Sequence, residues 1–69
     1  METLKEARER RGIKQVAVAN AIGVSRQTYA TYEQYPRTMR VEAAKAACDF
    51  IGCDISDIFF GDDVKSKLT

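Results

Sequence analysis

Apolar residues recur along the chain at three- and four-residue spacings interrupted by single glycines, a pattern that predicts five short helices and no strand of convincing length. Thr3 and Glu6 stand three apart, a capping box in which the hydroxyl bonds the N3 amide and the carboxylate reaches back. Leu4, Ala7 and Arg11 mark one face, and Gly12 supplies the stop, so the first helix is expected over residues 3–11. Val18, Ala19 and Ile22 form a compact stripe on a second helix from Gln15 to Ile22, closed by Gly23. Ser25 is a suitable N-cap for a third helix from Arg26 to Glu33, on which Tyr29 and Tyr32 repeat at i, i+3.

Pro36, the single proline, interrupts the segment that follows. Thr38 is then expected to cap a fourth helix over residues 39–51, whose core stripe reads Val41, Ala44, Ala47, Cys48 and Ile51 and which Gly52 ends. Asp54 caps a short fifth helix carrying Ile55, Ile58 and Phe59. These elements make one domain over residues 1–61, with a polar tail over 62–69. The expected class is all-α, a compact five-helix body.

Between the second and third helices stand only Gly23, Val24 and Ser25, and so short a turn with glycine at its first position forces two helices to cross steeply. Ala19 is small where the helices meet, Gly23 takes the backbone conformation other residues avoid, and Val24 fills the corner. Tyr29 and Tyr32 are expected to face the core.

Charge sharpens this picture. The net charge is only +1, but it is unevenly distributed: residues 1–40 hold eight cations against four anions, and residues 41–69 three against six. A molecule polarised in this way can turn one face to a phosphate backbone. The chain has no histidine and two cysteines, Cys48 and Cys53, too few ligands for a structural zinc. The cysteines are expected to be free and to pack as small apolar side chains, a bridge being the lesser alternative. Without an apolar leader or a run approaching ~20 apolar residues, neither a signal peptide nor a membrane span is expected. A reduced, cytoplasmic home is then the default expectation.

Gln15, Gly23, Ser25 and Glu33, with the small residues between them, resemble the helix-turn-helix of the lambda-repressor/Cro-like family, also called XRE. The resemblance covers residues 3–60 and implies a sequence-specific regulator of transcription, a repressor of the small phage type, acting on double-stranded DNA. Two positions depart from the family pattern. Val18 stands where leucine is usual, and Gln34-Tyr35-Pro36-Arg37 replaces an Asn-Gly-Lys-type turn, which changes how the loop after the third helix meets phosphate.

In this geometry the second motif helix enters the major groove with its N-terminal residues toward base edges. The candidates to read bases are therefore Arg26, Gln27 and Thr28, with Thr31 one turn on. Arginine forks onto guanine and glutamine onto adenine, while Thr31 and Ala30 can meet a thymine methyl. Gln15, at a helix N-terminus, is a phosphate candidate on the helix dipole as well as on the resemblance. Ser25, Lys14, Arg37 and Arg40 complete the phosphate set, although lone surface cations are also common without any such role. The resemblance further implies a structural ion pair between Arg8 and Glu33.

Catalysis is not expected. No histidine is present to relay protons, Cys48 lies on an apolar stripe, and the Asp62-Asp63 pair falls in the tail. No cofactor and no metal are expected. The alternative function is a protein-interaction module on the same fold, binding a partner repressor or a toxin. The adjacent Phe59 and Phe60 cannot both point inward from one helix, so a homodimer through Ile58, Phe59 and Phe60 is one expectation. Phe60 folding back over the body is the other.

Overall fold

A computed structural model describes residues 2–60, with side chains over 2–58. The expected tail over 62–69 and the Phe59 and Phe60 side chains lie outside the described residues. The helices are α1 (Leu4–Arg10), α2 (Gln15–Ile22), α3 (Arg26–Gln34), α4 (Val41–Ile51) and α5 (Ser56–Phe60), with a 3-10 turn at Pro36–Thr38 between α3 and α4. The first four are α-helical and α5 is a single π-type turn; no strand occurs among the described residues.

Each boundary has a local cause. Thr3 and Glu6 form both bonds of the capping box, Thr3 N to Glu6 Oε1 at 2.8 Å and Glu6 N to Thr3 Oγ1 at 3.1 Å. At the end of α4 the backbone of Gly52 is left-handed, with φ +90°. There Gly52 N and Cys53 N both donate to the Cys48 carbonyl, at 2.7 and 3.0 Å. Such a cap brings the side chains of Cys48 and Cys53 toward one another. Both are free thiols, and burial, with the neighbouring Cys53, pushes Cys48 up to about 12. Asp54 caps α5, accepting from Ser56 N at 3.0 Å.

The core is built from Leu4, Ala7, Val18, Ala19, Tyr29, Ala47, Cys48 and Ile51. α2 lies against both α3 and α4, and α1 against α4. The fully buried alanines Ala7, Ala19 and Ala47 let these helices approach closely around Tyr29, the largest fully buried side chain. Ile55 and Ile58 of the C-terminal segment pack against this cluster from one side. Fully burying each Leu, Val or Ile side chain contributes roughly 1.5–3 kcal/mol, so Leu4, Val18 and Ile51 anchor the three-helix contact.

Three sequence expectations are corrected. Thr38 does not cap α4: its hydroxyl donates to the Tyr35 carbonyl at 2.7 Å within the 3-10 turn, and Arg40 occupies the cap position. Val41 is not in the core; at the very start of α4 it is 64% exposed, because the body ends before that first turn. Arg11 does not share the inner face of α1. That place belongs to Arg8, and Arg11 instead reaches across to the Gly52 carbonyl at 3.2 Å.

Candidate nucleic-acid interface

The turn between α2 and α3 is set by backbone chemistry. Gly23 is left-handed at φ +79°, which L side chains rarely adopt, and Val24 N returns to the Ala19 carbonyl at 3.0 Å. Val24 packs against the core cluster as the corner plug. Ser25, in extended conformation, then caps α3 by accepting from Thr28 N at 3.1 Å. A rigid corner and a side-chain cap fix the direction in which α3 leaves the body.

Tyr29 is the inner side of α3, fully buried, and Tyr32 is half-buried against the same core. The opposite side is open: Arg26, Gln27, Thr28 and Thr31 are all exposed. Thr31 Oγ1 donates back to the Gln27 carbonyl at 3.1 Å, which commits its proton to the helix and leaves its methyl for outward contact. The Ser25 hydroxyl donates to Thr28 Oγ1 at 2.9 Å, so both hydroxyls at the head of α3 are already ordered.

The cations expected to meet phosphate are also exposed. Lys14 and Arg40 occupy the N-cap positions of α2 and α4, neither of which has a side-chain cap, and Arg37 lies in the 3-10 turn that packs beside α3. Gln15, the first residue of α2, is half-buried.

Glu33 is the only acidic residue between Glu9 and Glu42, and it does not face outward. Its side chain is 3% exposed and is held by Arg8, whose Nε donates to Oε2 and whose Nη2 donates to Oε1 at 3.2 Å. The remaining Arg8 nitrogen, Nη1, donates to the Ile13 carbonyl at 2.7 Å. Burial by itself raises Glu33, but the hydrogen bonds from Arg8 and Gln15 and the Arg8 charge outweigh it and leave the carboxyl below its ordinary value. Beside it the Tyr29 hydroxyl is buried with no hydrogen bond of ordinary geometry, and its ionisation is pushed far up, by burial first and then by the close approach and charge of the Glu33 carboxylate.

Two further hydrogen bonds, which the sequence reading does not contain, extend from this carboxylate to the open face. Gln15 Nε2 donates to Glu33 Oε1 at 3.0 Å, and Arg26 Nη1 donates to Gln15 Oε1 at 3.1 Å. The one signal in the sequence is the isolation of Glu33 in a long stretch without another acid. Arg8 as its partner is implied by the family resemblance, but the bonds through Gln15 to Arg26 are set by how α2 and α3 pack, which spacing along the chain does not encode.

Two helices crossing at a glycine corner, the second capped and polar on its outer side, define a helix-turn-helix protein. A helix-turn-helix family model matches residues 4–58. The chain belongs to this family, in its Cro/lambda-repressor-like (XRE) group, a family of DNA-binding transcription regulators. A search of curated proteins gave no match. Among the described residues no helix is long and apolar enough to cross a membrane.

Proposed function

We propose that this protein is a sequence-specific repressor that reads the major groove of double-stranded DNA with the head of α3. The observation that carries the reading is the contrast between the two sides of that helix. Arg26, Gln27, Thr28 and Thr31 stand exposed, while the one acid of the region is withdrawn into an ion pair with Arg8. A phosphate backbone approaching α2 and α3 therefore meets cations and polar donors and no exposed carboxylate from that stretch of chain. That is the charge pattern DNA binding requires.

In this reading Arg26 forks onto guanine, Gln27 onto adenine, Thr28 bonds an adjacent base edge, and the Thr31 methyl meets thymine. Gln15, Ser25, Lys14, Arg37 and Arg40 fix the register on phosphates. A homodimer formed through Ile58, Phe59 and Phe60 would space two half-sites about 34 Å apart, one turn of DNA. The protein acts in the cytoplasm as a small phage-type regulator, without cofactor and without catalysis.

The test is a binding titration on a mixed-sequence duplex at several salt concentrations. The logarithm of affinity should fall linearly with the logarithm of salt concentration. Lys14→Ala, Arg37→Ala and Arg40→Ala should each lower the slope by about 1 and weaken all sequences alike. A flat salt dependence in the unaltered protein would instead favour a protein partner for this face.

A further inference from the structure

The two thiols of the chain meet at the cap that ends α4. Gly52 is left-handed there and turns the chain back, so that Cys53 N donates to the Cys48 carbonyl at 3.0 Å. In a cap of this type the side chains at its first and last positions face one another, and those positions are Cys48 and Cys53. Cys48 is buried in the core cluster and Cys53 is half-buried against its edge. Burial first, and then the close approach of the Cys53 thiol, pushes Cys48 up to about 12. The pair is therefore unequal: solvent reaches one sulfur and not the other. Cations stand on the open side. Arg11 Nη2 donates to the carbonyl of Gly52, the residue before Cys53, at 3.2 Å, and Arg10, paired with Glu2, is close enough for its charge to act on Cys53. Two carboxylates act on Cys48, Asp49 and Asp54, and Asp54 is occupied by Ser56 N and Oγ at 3.0 and 2.8 Å. A half-exposed sulfur near guanidinium groups, with a second sulfur behind it, has the parts of an attacking and a resolving cysteine.

We propose that Cys48 and Cys53 form a reversible disulfide site that reacts with hydroperoxides, Cys53 attacking and Cys48 resolving. The Cys53 sulfur takes the terminal peroxide oxygen and the O–O bond breaks. The Cys53 proton goes to the leaving oxygen, which departs as an alcohol, or as water when the oxidant is hydrogen peroxide. Cys53 is then a sulfenic acid. The Cys48 sulfur forms the S–S bond, the S–O bond breaks, and the Cys48 proton leaves with that hydroxyl as water. Together the two sulfurs give up two electrons and the peroxide takes them. A dithiol reductant reopens the bond by exchange, so the free pair and the bridged pair interconvert. The reaction needs nothing from the DNA-facing side of the molecule and stands apart from the reading of α3.

The test treats the full reduced chain, folded, with hydrogen peroxide and follows its intact mass, with thermal unfolding as a control for each variant. The unaltered protein should lose two hydrogens and both free thiols while remaining a single chain on a non-reducing gel. Peptide mapping should place the change in the peptide that carries both cysteines, and dithiothreitol should restore the starting mass. Cys48→Ala should stop at a sulfenic acid on Cys53, trapped as its dimedone adduct, and Cys53→Ala should lose no thiol while folded. Oxygen added at Cys53 of the unaltered protein without a bridge, a bridge between two chains, or no reaction until urea unfolds the chain would overturn the proposal. A dimedone adduct on Cys48 in folded Cys53→Ala would overturn the assigned roles. If Cys48→Ala fails to fold, the unaltered protein is oxidised with dimedone present from the start. An adduct on Cys53 then supports the order of attack, and an adduct on Cys48 overturns it.

Discussion

The Arg8 guanidinium holds the Glu33 carboxylate through two of its nitrogens, tying the middle of α1 to the end of α3 across 25 positions of sequence. With side chains only 10% and 3% exposed, the pair is largely withdrawn from water, so each charge depends on the other for its solvation. The helix that faces outward is thereby fastened at its far end, while Ser25 and Gly23 fix its near end.

Removing one partner strands the other charge. Arg8→Ala and Glu33→Ala are each expected to cost about 3–5 kcal/mol in urea unfolding. The paired apolar replacement Arg8→Met with Glu33→Leu should recover most of that loss, because no buried charge is then left alone. Single-variant costs below 1 kcal/mol would show that the pair is solvated and incidental.

The same pair predicts a pH dependence. Burial raises Glu33, yet its hydrogen bonds and the Arg8 charge hold it below the ordinary 4.5. A carboxyl whose folded value is depressed binds its proton more readily when unfolded. Its contribution is therefore complete above about pH 4.5 and is lost as pH falls through the folded value. Unfolding followed from pH 6 to pH 2 should show a loss below about pH 4.5 that is shallower in Glu33→Gln. Equal slopes in the two proteins would assign the acid sensitivity to other carboxyls.

Tyr29 fills the core, but its hydroxyl is buried without a hydrogen-bond partner. An unsatisfied buried hydroxyl costs roughly 1–3 kcal/mol, so Tyr29→Phe should be neutral or stabilising in thermal unfolding. A clear destabilisation would show that the hydroxyl is bonded in solution, with the neighbouring Glu33 carboxylate the acceptor to account for it.

Cys48 is buried and its thiol is pushed up to about 12, so almost none is thiolate at neutral pH. Iodoacetamide should leave Cys48 unmodified in the folded protein and alkylate it only as urea unfolds the chain. Peptide mass mapping checks this directly. Rapid labelling under native conditions would mean that the end of α4 opens readily.

Apart from the Arg8–Glu33 pair, which the family resemblance implies, the cause is local where sequence and structure agree. Thr3 with Glu6, Gly23 with Val24, Ser25, and Gly52 each fix a boundary through their own backbone or a bond to a residue a few positions away. The burial of Tyr29 follows from the apolar spacing on α3, and its neighbour one turn on, Tyr32, is half-buried. Thr38 is not the α4 cap because Pro36 starts a separate 3-10 turn that uses the Thr38 hydroxyl and moves the α4 cap to Arg40. Val41 fits the apolar period of α4, but period alone does not reveal that no described element covers the first turn. The bonds that Gln15 makes with Glu33 and Arg26 join positions 18 and 11 apart, and only the packing of α2 against α3 brings those side chains together.

The central claim is that the exposed head of α3 reads base edges. It is tested most directly by selecting bound duplexes from a random pool with the unaltered protein, Arg26→Ala and Gln27→Ala, at one fixed salt concentration. The unaltered protein should enrich a defined motif, two inverted half-sites if it binds as a dimer. Each variant should lose discrimination at one position per half-site, by roughly 1–3 kcal/mol. Failure to enrich any motif at low salt, or a motif unchanged by both substitutions, would contradict the account and direct attention to a protein partner.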